Sequence, residues 1–93
     1  MLTMNSDERR ELVTDGYRYY CKSVIFHKGT FNGDTVRDTY VPSRQDAKLW
    51  CKVADSKLQD VAEQNADTFM TATYILDLHT DTWETHALTR YYG

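Results

Sequence analysis

The chain has 93 residues, a hydrophobic fraction of 41%, a formal net charge of −3 and two cysteines. This length fits one domain over residues 1–93, and the mild acidity disfavours duplex DNA or an anionic membrane as the main partner, because both attract basic surfaces. The sequence shows no disulfide framework, signal peptide or membrane span, so we expect a cytoplasmic protein with free thiols.

The first half of the chain predicts a short helix followed by a β-hairpin. The helix, from Asp7 to Val13, starts with acidic residues that suit the helix dipole, and it ends at Asp15-Gly16. A strand from Tyr17 to Phe26 is rich in aromatic and β-branched residues. The Asn32-Gly33 pair predicts a turn, since both residues tolerate a positive φ, and a return strand follows from Thr35 to Val41.

A long amphipathic helix is predicted from Ser43 to Gln64. Ser43 is a good N-cap residue, and Asp46 stands three residues later, as in a capping box. Apolar residues then recur at the spacing of one helical face. This stripe consists of Ala47, Trp50, Cys51, Ala54, Leu58, Val61 and Ala62. A helix of ~20 residues is ~30 Å long and can cover a small sheet.

The last part of the chain predicts a second hairpin, with strands from Thr68 to Leu78 and from Thr82 to Tyr92. The order β-β-α-β-β favours an α+β fold with two layers, in which a four-stranded, mostly antiparallel sheet carries the long helix on one face. The alternation of side chains along the strands assigns a set of residues to the helix-covered face. This set is Tyr19, Cys21, Ile25, Met70, Ala72, Tyr74, Leu76, Trp83 and Ala87.

The opposite face of the sheet, called the second face below, is the candidate binding site. An antiparallel sheet covered on one side is normally polar on the other, yet many residues assigned to the second face are apolar. The candidate binding residues are Tyr20, Lys22, Val24, Phe26, Ile75, Leu88, Arg90 and Tyr92. Such a face is covered by the N-terminal segment, by a second copy in a homodimer, or by a partner protein. The apolar residues of that segment are Leu2, Met4, Leu12 and Val13.

No catalytic residue, metal site or cofactor is predicted. Zinc sites carry closely spaced cysteine or histidine pairs, which this sequence does not contain. The segment 77–86 holds the densest group of carboxylates and histidines, but it lacks the glycine and the middle ligand of a calcium loop and fits a polar hairpin turn. Cys51 with His86 has no local signature of a nucleophilic pair, and the glycine motifs that bind phosphate are absent.

The sequence therefore favours a small non-enzymatic protein-binding module that acts through the second face or a flank of the long helix. Because viruses and mobile elements use compact domains of this type, we expect an inhibitor of a host or defence protein. One alternative is a single-stranded nucleic-acid-binding domain that uses the aromatic and basic residues of the second face. Another is a small hydrolase or metal-dependent enzyme at the 77–86 hairpin.

Overall fold

The computed structural model describes residues 6–29 and 32–91. Along the chain it contains α1 (Ser6–Thr14), β1 (Tyr19–His27), β2 (Asp34–Val41), α2 (Arg44–Glu63), β3 (Thr68–Asp77) and β4 (Thr82–Arg90). These elements confirm the predicted α+β fold with its long helix and its short N-terminal helix. Neither helix of the described residues is long and apolar enough to cross a membrane.

The long helix α2 begins at the predicted cap. The backbone N–H of Asp46 donates a hydrogen bond of 3.1 Å to Oγ of Ser43, and the Ser43 hydroxyl donates one of 2.9 Å to Oδ2 of Asp46. The first bond satisfies one of the backbone N–H groups that the first turn of a helix leaves unpaired. The second gives the Ser43 hydroxyl an acceptor that water would otherwise provide. At the other end, the N–H groups of Gln64 and Asn65 bond three residues back, which tightens the last turn.

The four strands form one sheet in the order β2-β1-β3-β4, and each neighbouring pair is antiparallel. β2 and β3 therefore run in the same direction on either side of β1, and α2 connects them across one face of the sheet. α2 packs mainly against the two central strands, β1 and β3. The core on this side is built from Tyr19, Cys21, Ala47, Cys51 and Ile75.

The register between β1 and β3 shows that the predicted faces are right for β1 and wrong for β3. Cys21 lies opposite Ile75, and Tyr20 lies opposite Leu76. Because residues directly opposite share a face, Ile75 faces α2 and is not on the second face as predicted. Five residues predicted to face the helix lie on the second face instead, namely Met70, Ala72, Tyr74, Leu76 and Trp83. The predicted positions of Tyr19, Cys21, Ile25 and Ala87 are confirmed.

Two segments of the chain cover parts of the second face. Leu12 and Val13 of α1 pack at one end against the buried cluster of Tyr20, Leu76 and Leu78. At the other end the turn before β2 closes over Val24 and Phe26, because a Cβ placed on Gly33 would lie 2.7 Å from Cε1 of Phe26 and closer still to Cγ1 of Val24. Of the three alternatives for covering this face, the structure thus shows the N-terminal segment, through Leu12 and Val13, at one end, whereas Leu2 and Met4 lie outside the described residues.

Candidate protein-binding surface

The structure separates the predicted binding residues into buried and accessible groups. Tyr20 is only 2% exposed, and Lys22 and Val24 are also buried. Phe26 is half-buried, whereas Leu88 and Arg90 are exposed on β4. Ile75 belongs to the core under α2, and Tyr92 lies outside the described residues. Only Phe26, Leu88 and Arg90 of the described candidates therefore have surface that a partner can reach directly.

Lys22 sits in an aromatic cluster at the middle of the second face. Its Nζ lies 5.1 Å from the ring centre of Trp83 and 5.9 Å from that of Tyr74. The ring of Tyr20 packs edge-on against Trp83 at 6.0 Å and lies 4.9 Å from the ring of Tyr40. A cation above aromatic rings is attracted by their negative faces, which offsets part of the cost of burying the ammonium group.

Burial sets the electrostatics of this cluster. Loss of water lowers the pKa of the Lys22 ammonium group, and the nearby carboxylate of Asp38 partly opposes that change. Burial raises the pKa of the Tyr20 hydroxyl, and its hydrogen bond to Asp38 raises it further. Because the Tyr20 ring is enclosed by other rings, it presents no open face on which a nucleic-acid base could stack.

The carboxylates of the 77–86 hairpin each interact with a different partner. Oδ1 of Asp77 accepts a hydrogen bond from the backbone N–H of His79, and Asp81 lies 3.5 Å from the guanidinium group of Arg9. Glu84 accepts two hydrogen bonds from Arg44, at 2.6 and 3.0 Å, and this pairing lowers the pKa of Glu84. Within the described residues, no three cysteine, histidine or carboxylate side chains converge as metal ligands.

Cys51 faces Cys21 in the core beneath α2. Both thiols are free and fully buried. A hydrogen bond between them raises the pKa of Cys21 and lowers that of Cys51. His86 is exposed on β4, so Cys51 points into the core and His86 out of it.

The two flanks of α2 differ in chemistry. The flank towards β4 carries charged and polar residues, and Arg44 pairs there with Glu84. On the side towards β2, Val61 is 46% exposed, and two further aliphatic residues lie progressively further round the helix. These are Val53, 49% exposed, and Leu49, 61% exposed, which lies opposite the buried stripe. Val61 was predicted to belong to the buried stripe, but it lies at the edge of that stripe. Leu49, Val53, Lys57 and Val61 follow one another at intervals of four residues and so form a row along the helix.

A groove of about 340 Å³ separates the last part of this row, Lys57 and Val61, from the edge strand β2. We call it the α2–β2 groove, and its lining residues are Val36, Arg37, Ala54, Lys57, Leu58, Asp60, Val61 and Ser23. Val36 is 47% exposed and stands across the groove from Val61. It is the extra residue of a bulge, since Arg37 pairs with Ser23 and Thr35 pairs with Val24.

Sequence patterns alone gave two signals for this groove. Leu49 and Val53 are aliphatic residues outside the apolar stripe of the long helix, and Val36 interrupts the polar residues around it in the return strand. Neither signal fixes where β2 lies relative to the helix, because that depends on strand order. The structure places β2 at the edge of the sheet, so that Val36 and Val61 line one groove, with Val53 and Leu49 further round α2.

Comparison with known proteins adds no family or relative. No protein-family model matches the chain, and neither the search of curated proteins nor that of solved structures found a match. The candidate function therefore depends on the surface of this molecule itself.

Proposed function

We propose that this protein is a small non-enzymatic protein-binding module and that the α2–β2 groove is its binding surface. The observation that carries the proposal is the grouping of exposed apolar side chains. Of the seven large apolar residues that are exposed in the described part of the chain, Val36 and Val61 line this groove, and Val53 lies one step further along the helix row. Grouped apolar residues on the surface of a small domain are typical of an interaction site.

The charges around the groove support a protein partner. Arg37, Lys57 and Asp60 line it beside Val36 and Val61, so the groove offers both apolar and charged contacts. Protein interfaces commonly combine the two, with apolar contacts that are desolvated and polar groups that fix orientation. By contrast, Tyr20, Lys22 and Val24 of the predicted site on the second face are buried, and of the described candidates only Phe26, Leu88 and Arg90 are accessible there.

The proposal includes a cytoplasmic location and a role as an inhibitor of a host or defence protein, encoded by a virus or mobile element. These parts are supported by the small size, the mild acidity and the free thiols of the chain.

The test compares capture of partners by the wild-type protein and by a Val53→Asp/Val61→Asp variant, using extracts of the native host. The captured partner is then purified and its affinity measured by calorimetry. We expect the variant to bind about tenfold or more weakly, because two charges enter the apolar centre of the interface. Leu88→Asp on the second face is the matched control and keeps wild-type affinity. If Leu88→Asp abolishes binding and the groove variant does not, the binding surface is the second face and the proposed groove is wrong.

A further inference from the structure

The layer of helices above the sheet is incomplete over β2. Neighbouring strands lie ~4.8 Å apart and a helix with its side chains is ~10 Å across, so one helix covers about two strands. α2 lies over β1 and β3, with much weaker contact to β2 and β4. The place over β4 is bordered by the Arg44–Glu84 pair and other polar groups, whereas the place over β2 is bordered by the exposed Val36 and Val61 as well as by charged residues. An amphipathic element therefore fits over β2.

The edge of β2 is a poor template for a further strand. Val36 forms a bulge in this edge, and bulges twist the backbone and interrupt the ladder that an added strand would continue. Charged residues flank the bulge, with Asp34 on one side and Arg37 and Asp38 on the other. Both features oppose pairing between sheet edges. The groove is therefore better suited to a helix that lies on side chains than to a strand that bonds to the backbone.

The charges in the groove indicate which helix would fit. Arg37 projects from β2 and Lys57 from the middle of the aliphatic row, whereas Asp60 is the one acidic residue that lines the groove in the described structure. An acidic side chain on the partner would meet Arg37 and Lys57, which improves both the rate and the selectivity of association.

A second copy of the chain is a weaker candidate for the occupant. In a two-fold interface the same patch lies on both sides, and Lys57 occupies the middle of the row between Val53 and Val61. A two-fold axis through that point would place Lys57 against its own copy. Like charges across an interface are costly, so the groove favours a different protein.

We infer that the α2–β2 groove binds an amphipathic helix of a partner protein. Its aliphatic residues lie against Val36 and Val61 in the groove and Val53 beside it, and an acidic residue lies against Arg37 and Lys57. This inference rests on the proposed function and names the class of partner. The partner helix completes the helix layer over β2 and lies alongside α2. From Val53 to Val61 the row extends for a little over two turns, so a partner helix of about 14 residues spans it with about one turn to spare.

The test uses three synthetic peptides of about 14 residues, a length that spans ~20 Å as a helix. The first is held helical by lactam bridges and carries leucines on one face with flanking glutamates. The second has lysines in place of the glutamates, and the third has the first composition with central prolines that prevent a helix. Binding to the full chain is followed by NMR through the methyl signals of Val36, Val53 and Val61.

We expect the acidic helical peptide to bind in the micromolar range and to shift those three methyl signals, with the lysine peptide at least about fivefold weaker. In an Arg37→Glu/Lys57→Glu variant the preference reverses, so that the lysine peptide binds more tightly. Reversal of the preference is the decisive result, because unfolding of the variant would weaken the binding of both peptides alike. Val61→Asp reduces the affinity of the acidic peptide by about tenfold, and circular dichroism confirms that the variants are folded.

Three other outcomes would overturn the inference. If the proline peptide binds in the groove as tightly as the helical one, the groove is a binding surface but its ligand is not a helix. If sedimentation shows a dimer that Val61→Asp dissociates, the occupant is a second copy. If no peptide binds and the groove variants still capture the natural partner at full affinity, the inference and the proposed function both fail.

Discussion

The hydroxyl of Tyr20 donates a hydrogen bond of 2.9 Å to Oδ2 of Asp38 on the neighbouring strand. Tyr20 lies on β1 and is almost fully buried, whereas Asp38 lies on β2 and is exposed. The bond therefore ties the edge strand to the centre of the sheet, on the side opposite the α2–β2 groove. It also gives the buried phenol the partner that it needs inside an aromatic cluster.

Replacing Tyr20 with phenylalanine should lower the free energy of unfolding by about 1 kcal/mol at neutral pH, since one buried hydrogen bond is lost. A second effect appears in alkali. Burial raises the pKa of Tyr20 above its usual 10.0, so this group stabilises the fold below pH 10. That contribution is lost as the pH rises from 10 towards the pKa of the folded state, because the unfolded phenol ionises first.

Urea denaturation between pH 8 and about 11 measures both effects. Wild-type stability should fall above pH 10, and the fall should be smaller in Tyr20→Phe, which cannot ionise at this position. Tyr17→Phe serves as the control because Tyr17 is exposed. Equal alkaline slopes for the wild type and Tyr20→Phe would show that the phenol of Tyr20 is not protected from ionisation in the folded state.

The register between β1 and β3 is one feature of the fold that the sequence did not predict. Periodicity placed both hairpins and the long helix, because each depends on local spacing and on caps such as Ser43. It did not fix which side of β3 faces α2. Ile75 is apolar on one side of that strand and Leu76 on the other, so a shift by one residue exchanges the faces without breaking the alternation. Thr71 and Thr73 are polar yet fully buried on the side of β3 that faces α2, so polarity also failed to identify that side.

The order of the strands in the sheet was the second feature that the sequence did not predict, and the α2–β2 groove depends on this order. Val36 and Val61 lie 25 residues apart in the sequence. They line one groove only because β2 is an edge strand that lies beside α2. Long-range pairing of this kind is set by tertiary packing rather than by any local pattern.

Gly33→Ala should destabilise the protein although it adds only one methyl group. The sequence predicts a glycine here for a positive φ, but Gly33 does not adopt one. Its role is a close approach, since an added Cβ would overlap Cγ1 of Val24 and lie within 2.8 Å of the Phe26 ring. Overpacking of this type costs about 1–3 kcal/mol.

Thermal unfolding of Gly33→Ala tests this prediction. Val24→Ala removes the methyl group that the new Cβ meets. Gly33→Ala should therefore cost less stability in the Val24→Ala background than in the wild type. Additive effects of the two substitutions would mean that Gly33 and Val24 are not in contact.

Thr73→Val should stabilise the protein. Thr73 is fully buried under α2, and its hydroxyl has no hydrogen-bond partner among the described residues. Valine has nearly the same shape without the unpaired polar atom, so we expect the free energy of unfolding to rise by about 1 kcal/mol. Chemical denaturation gives this value, with Thr85→Val on the exposed part of β4 as a control that changes stability by less than about 0.5 kcal/mol. Destabilisation by Thr73→Val would indicate that the hydroxyl is hydrogen-bonded in solution.

The buried thiols of Cys21 and Cys51 should react with Ellman's reagent only when the structure opens, because both sulfur atoms lie between α2 and the sheet. In guanidinium chloride both should react at once. Cys51→Ala leaves a small cavity and lowers stability by about 1.4 kcal/mol, which should speed labelling of Cys21 roughly tenfold if labelling follows the opening equilibrium. Ser56→Ala, on the exposed side of the same helix, should leave the labelling rate nearly unchanged. Rapid labelling of either thiol in the native protein would mean that α2 separates from the sheet far more readily than this packing implies.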